Sequence, residues 1–176
     1  GGKWVGYNTD CSGAIKALEV YTSLKDKNVL ILGSGGTAKA IGFGVKKKGA
    51  KLTVTFNRNK KKGESLAEEL NCELVHCRDA GTRPIDILIN CSPVGMSPNI
   101  NETPFFARDF KEGMVVFDSV YNPLETRLLR EAKEAGCTVI QGSELFINQA
   151  AQQFELFTNQ SAPIEAMREV LMKKLK

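Results

Sequence analysis

Three short stretches carry residue types able to do chemistry. Gly33-Ser-Gly-Gly-Thr-Ala38 follows the apolar run Asn28-Val-Leu-Ile-Leu32 and opens a helical pattern. Glycines at that spacing serve phosphate: Gly33 permits a tight turn, Gly35 admits close approach of a pyrophosphate, and Ala38 lets the helix lie near the strand. Ser34, Gly36 and Thr37 complete the loop, whose helix offers free N–H groups and a partial positive charge. Gly-rich turns before helices are common, so specificity comes from the strand–loop–helix context.

The second stretch is Asn57-Arg58-Asn59-Lys60, with Lys61 and Lys62 behind it, at the end of the next β-branched run. A site for an unphosphorylated dinucleotide places Asp or Glu there, on the ribose 2′-hydroxyl. Here no carboxylate occurs before Glu64. A 2′-phosphate is a dianion that wants donors, and a guanidinium meets it with two prongs. Cations crowding a helix start are unfavourable unless an anion is expected. This end of the site therefore reads as NADP.

The third is Asp10, after Asn8 and Thr9 and ahead of Ala14, Ile15 and Leu18. By residue type, a carboxylate before an apolar-periodic stretch is an N-cap. The competing reading makes it half of a catalytic pair.

The elements that must position these residues follow from periodicity. Strands are expected at 28–32, 52–56, 72–75, 85–89, 113–117 and 137–140. Helices are expected at 36–48, 60–70, 124–135, 144–157 and 163–175, with Gly136 as a helix stop and Pro163 in a first turn. Strands buried on both faces alternating with helices imply an α/β fold: a Rossmann-type, doubly wound, mainly parallel six-stranded sheet with helices on both faces. One domain spanning 1–176 is expected. The loop from Ser92 to Lys111, with Pro93, Pro98 and Pro104, is long enough to be functional.

Composition narrows the function classes. The 176 residues carry a net charge of +4, with 42% hydrophobic residues. Basic runs are short, and Lys46, Lys47 and Lys48 read as solvated helix surface, so no nucleic-acid partner is expected. Five scattered cysteines (Cys11, Cys72, Cys77, Cys91, Cys137) and the single His76 make no plausible zinc set. His76 reads as strand-end rather than catalytic, and Gln152 and Gln153 as surface. Free thiols suggest a reducing compartment, the cytosol or an organelle interior such as a plastid. No apolar run reaches membrane-spanning length, so no membrane partner is expected.

Several blocks in order resemble the C-terminal, NADP-binding domain of the shikimate dehydrogenase family, including its quinate/shikimate members. Gly6-Tyr-Asn-Thr-Asp10 is similar to that family's GxNTD segment, Gly33 to Ala38 to its glycine loop, and Asn57-Arg58 to its phosphate clamp. Asn90-Cys-Ser-Pro-Val-Gly-Met96 is similar to NxTPxGM, Asp118-Ser-Val-Tyr-Asn-Pro123 to DxxYNP, and Gly142 to Gln149 to GxxMLxxQ. Asn59 stands where Thr is usual, Leu145 where Met often packs, and Cys91 and Ser92 replace a small residue and Thr.

The resemblance implies reversible reduction of 3-dehydroshikimate to shikimate with NADPH. It implies that Asp10 is the carboxylate of a Lys–Asp pair contacting a substrate hydroxyl, and that Tyr121 and Gln149 contact shikimate. Ser119, Gly142 and Leu145 would frame the nicotinamide; Cys91, Ser92 and Pro93 would line the coenzyme cleft. The lysine partner belongs to a segment like SxNVTxPxK in an N-terminal substrate domain, and none lies among these residues. The chain is thus expected to be a coenzyme-binding part that shares its small-molecule substrate with an upstream domain. It is expected to turn over little alone, and its YNTD and NETPF segments resemble those of bifunctional proteins in which a dehydratase domain precedes the dehydrogenase. Alternatives are a quinate/shikimate enzyme using NAD, or a non-catalytic nucleotide-binding or regulatory module.

Overall fold

A computed structural model describes residues 2–175. The elements run α1 (Thr9–Glu19), β1 (Asn28–Leu32), α2 (Gly36–Lys47), β2 (Lys51–Phe56), α3 (Lys60–Leu70), β3 (Glu73–His76) and β4 (Ile87–Asn90). Then come β5 (Val115–Asp118), α4 (Arg127–Glu134), β6 (Thr138–Ile140), α5 (Gly142–Thr158) and α6 (Ile164–Lys174). Six strands form one sheet in the order β3-β2-β1-β4-β5-β6, every pair parallel. The order reverses between β1 and β4, which opens a crevice at their carboxyl ends.

Strand parity divides the core. Val29, Ile31, Ile87, Ile89, Val115 and Phe117 face a layer built by α1, α2, α3 and α5. Leu30, Leu32, Leu88 and Val116 face α4, Phe105 and Phe110. Because both faces are covered, the central strands β1, β4 and β5 read as near-continuous apolar runs. Among the described residues, the second layer has one α-helix, α4. Between β4 and β5 the chain is the expected long loop, relieved by a short 3-10 helix at Ala107–Asp109.

Four expectations need correction. Asp10 is not the cap of α1: Asn8 is, its side-chain oxygen accepting from the Cys11 amide at 3.0 Å, and Asp10 lies in the first turn. Replacing a capping Asn by Ala removes that acceptor. Asn8→Ala should therefore lower stability by about 1 kcal/mol in urea unfolding. Pro163 is the cap of α6 rather than its first residue. β4 begins later than expected, at Ile87: Asp86 just before it keeps backbone bonds to the Asn28 carbonyl (2.9 Å) and the Val115 amide (3.0 Å), while its carboxylate also accepts from the Asn28 amide (2.7 Å). Lys46 is more than solvated surface: its ammonium donates to the Leu70 and Asn71 carbonyls, both at 2.6 Å, closing the end of α3. His76 ends β3 as expected, and its Nδ1 accepts from the Arg78 amide at 3.1 Å.

Candidate functional site

The glycine loop lies at the reversal of strand order. Gly33 has φ +113°, a conformation glycine adopts freely, and its amide donates to Thr55 Oγ1 at 3.1 Å. A Cβ at Gly33 would come within 3.3 Å of the Cys91 carbonyl and the Ser92 amide, so the loops after β1 and β4 touch. A Cβ on Gly35 or Gly36 would meet nothing within 4 Å, leaving the approach to α2 open. Helix α2 has no acidic residue in its first turn and no side-chain cap, so no side chain neutralises the positive end of the helix. Ala38 is fully buried in the core, and Ser34 is half-buried in the loop.

Three adjoining cavities open along this edge. The first, about 690 Å³, is lined by Gly33, Thr55, Asn57 and Ser92, by Cys77 and Arg78 after β3, and by Arg127 and residues 101–106 of the long loop. Of the four clamp residues only Asn57 lines it. Arg58, Asn59 and Lys60 are exposed at the start of α3 beside it. Asn59 caps α3, its Oδ1 accepting from the Lys62 amide at 2.9 Å, which leaves its amide N–H groups for a ligand. Lys60 pairs with Glu64 at 3.4 Å. Arg58 makes no ion pair among the described residues.

The second cavity, about 280 Å³, gathers Asp10, Thr37, Ser119, Tyr121, Gly142, Leu145 and Gln149. The third, about 410 Å³, shares Thr37, Ser119 and Tyr121 with it, shares Ser92 with the first, and adds Cys91, Pro93 and Met96. Residues from α1, the glycine loop, the turn after β5 and α5 thus meet in one place.

Helix α1 reaches α5 because Gly13 has no side chain. A Cβ there would lie 3.0 Å from the Gln149 amide nitrogen and 3.2 Å from the Leu145 carbonyl. Gln153 Nε2 donates to Thr9 Oγ1 at 3.0 Å, and the Ser12 hydroxyl donates to Gln152. These two glutamines, expected at the surface, lock α1 onto α5 and so hold Asp10 beside Gln149. At the other end of the cavity Gly142 is buried against the backbone of Ser119 and Val120.

Sequence reasoning assigned no role to several residues of this edge. Phe146 lines the second cavity and packs on Tyr121 with ring centroids 5.1 Å apart. Arg78 and Arg127 bring further cations to the first. Asn90 and Asp118, fully buried, end β4 and β5 and are register partners. Asp118 Oδ1 accepts from Asn90 Nδ2 (2.9 Å) and the Val120 amide (3.0 Å); its Oδ2 accepts from Thr126 Oγ1 (2.6 Å). Asn90 Oδ1 in turn accepts from the amide (2.9 Å) and hydroxyl (2.7 Å) of Ser92. Burial pushes the Asp118 carboxyl up to about 6, against the pull of its three donors. Burial, with the Asp118 charge beside it, also pushes the Cys91 thiol well above its ordinary value.

Fold and cleft together define a class: a Rossmann-type α/β domain whose glycine loop adjoins a second cavity bearing a carboxylate, a phenol and an amide. The chain belongs to the shikimate dehydrogenase family. Residues 15–97 match the family model described as Shikimate / quinate 5-dehydrogenase, and residues 142–172 match the Shikimate 5′-dehydrogenase C-terminal domain. The chain is 41% identical over 180 residues to a shikimate dehydrogenase (NADP(+)) of Methanobrevibacter smithii, covering 97% of this chain and 64% of that one. It is 39% identical over 189 residues to a chloroplastic bifunctional 3-dehydroquinate dehydratase/shikimate dehydrogenase of Arabidopsis thaliana, covering 98% of this chain and 31% of that protein. The crystal structure of a shikimate 5-dehydrogenase from Thermus thermophilus in complex with NADP(H) and shikimate superposes with a TM-score of 0.86 at 33% identity, over 96% of this chain and 63% of that one. The chain therefore spans less than two thirds of the length of these relatives. Among the described residues, no helix is long and apolar enough to cross a membrane.

Proposed function

We propose that this chain is the NADP(H)-binding domain of an enzyme that interconverts 3-dehydroshikimate and shikimate. One observation carries the reading: an acid-free, basic end of β2 flanks the glycine loop, in a cleft that adjoins the cavity of Asp10, Tyr121 and Gln149. The residues fit the coenzyme, since the uncapped start of α2 and the open space over Gly35 and Gly36 suit a pyrophosphate. When bound, the nicotinamide supplies the hydride. Asn57, Arg58, the free amide group of Asn59 and Lys60 hold the 2′-phosphate. Cys91, Ser92, Pro93, Ser119, Gly142 and Leu145 border the ring and exclude water.

Hydride arrival at a carbonyl leaves charge on oxygen, which needs a proton. Asp10 accepts a hydrogen bond from the substrate hydroxyl and holds a lysine ammonium supplied by residues outside this chain; Tyr121 and Gln149 fix the ring. Five free cysteines suit a reducing compartment, the cytosol or a plastid interior.

Calorimetric titration of the chain with NADP⁺ and with NAD⁺ tests the reading. Charge-assisted bonds to one phosphate are worth roughly 1.5–3 kcal/mol, so NADP⁺ should bind about 10- to 100-fold more tightly. Equal affinity, or none for either, would overturn it.

A further inference from the structure

The Rossmann scaffold leaves one group unexplained: a carboxylate with no exposed surface and no cation against it, at the end of a central strand. Buried charges are retained only where hydrogen bonds compensate them, and a structural role alone is better filled by an apolar side chain. Asp118 has three donors, and the third, Thr126, is the cap of α4: its hydroxyl also accepts from the Leu129 amide at 3.3 Å. The positive end of that helix thus backs the charge.

What the three donors belong to is more telling. The Val120 amide lies in the turn Ser119–Asn122, one wall of the third cavity. Asn90, the second donor, spends its own oxygen on the amide and hydroxyl of Ser92, which opens the facing wall. The walls also meet directly, through the Ser97 amide and the Asn122 carbonyl at 3.0 Å and the Ser119 amide and the Asn90 carbonyl at 2.9 Å. We propose that Asp118 is a positioning residue for the coenzyme cleft: one buried carboxylate, acting through Asn90 on one side and the Val120 amide on the other, fixes both walls at once. The identity of the ligand rests on the coenzyme reading above; the coupling of the walls does not.

The device is proton-sensitive. A proton on Oδ2 can be received by Thr126, but it leaves Oδ1 a neutral carbonyl, and the bonds from Asn90 and Val120 lose their charge assistance. With the carboxyl pushed up to about 6, this happens just below neutrality. Of the titratable and charged groups on the packed elements, Tyr121 in the turn and Arg130, Lys133 and Glu134 on α4 are exposed to solvent. Cys91 follows β4 beside it and is held protonated by burial. On α4, Arg127 and Glu131 pair with each other at 2.6 Å. On α5, Glu144 is paired with Arg168. Stability and positioning respond with opposite sign. The folded-state value lies above the ordinary 3.8, so this carboxyl's contribution to folding is fully present below 3.8 and is lost as the pH rises through about 6. Acid therefore loosens the cleft while this group stabilises the fold, so weaker binding cannot be ascribed to unfolding driven by Asp118 itself.

The test compares the chain with its Asp118→Asn variant. In the unliganded chain, the NMR amide signals of Val120 and Ser92 should move together with one midpoint near pH 6, and neither should titrate in Asp118→Asn. NADP⁺ should bind Asp118→Asn several-fold more weakly at about pH 8. The coenzyme's 2′-phosphate also titrates near pH 6, so the pH effect on binding is read as the difference between the two profiles. Movement of Val120 without Ser92, or wild-type NADP⁺ affinity in Asp118→Asn, would overturn the proposal. Should the wild-type chain bind no NADP⁺, the coenzyme reading fails, and the amide titration still decides whether Asp118 couples the walls. The same titration in wild type decides it if the variant does not fold.

Discussion

Gly142→Ala should lower stability by about 3 kcal/mol and weaken NADP⁺ binding at least about tenfold. The added Cβ would stand 2.3 Å from the Val120 carbonyl oxygen, 2.5 Å from its carbon and 2.8 Å from the Ser119 oxygen. That is roughly 1 Å short of ordinary contact. All three atoms are backbone, at the turn that Asp118 holds through the Val120 amide, so no flexible side chain can yield. Either α5 lifts from the end of β5 or the turn gives way. Lifting α5 moves Leu145 and Gln149 away from the sheet. Because Gly13 presses α1 against the same two residues, Asp10 is dragged with them while the glycine loop stays. Yielding at the turn displaces Ser119 and Tyr121 instead. Both routes open the second cavity. Gly36→Ala is the control: its Cβ would meet nothing within 4 Å, and the unfolding free energy in urea should stay within about 0.5 kcal/mol of wild type. A Gly142→Ala chain with an unchanged midpoint would show that the close approach is not real.

The physics of burial decides what was legible in the sequence. The strand at 28–32 stands out because a parallel sheet covered on both faces needs apolar side chains on each, and that at 52–56 because it is rich in β-branched residues. The same fact hides which side chain faces which layer: Val29 and Leu30 are equivalent in hydropathy and lie on opposite faces. The glycine loop and the acid-free end of β2 are local and could be read from spacing. Asn90 and Asp118 could not be read as a pair, since each looks like the polar end of an apolar run. Only the β4–β5 register, a pairing across 28 residues, sets them side by side. Gln152 and Gln153 misled for a related reason. Polar residues on a helix signal solvent unless another helix approaches closely, and that approach depends on the missing side chain of Gly13. Asn8 and Asp10 are both credible caps by type, and the choice rests on which backbone conformation precedes the first turn.

Arg58→Asp should remove most of the preference for NADP⁺ without weakening the fold. Arg58 is exposed at the turn between β2 and α3, and three lysines follow it into a helix whose first turn has no acid. Each cation there costs roughly 0.3–1 kcal/mol against the positive end of the helix, a cost a bound dianion reverses. The substitution removes a two-pronged, charge-assisted contact worth roughly 1.5–3 kcal/mol and adds a like charge worth about 1 kcal/mol more across solvent. The sum is about 3 kcal/mol, or ~100-fold in the NADP⁺ dissociation constant. NAD⁺ has a hydroxyl at that position, for which the new carboxylate is an acceptor, so its affinity should hold or improve. The melting temperature should hold as well, since a negative charge before α3 suits its positive end. Raising the salt should shrink the wild-type preference, because the clamp is exposed and its charges are screened over about 8–10 Å. If both coenzymes lose affinity by the same factor, Arg58 acts on the shape of the cleft and not on the phosphate. The discriminating charge would then lie with Arg78 or Arg127 across the first cavity.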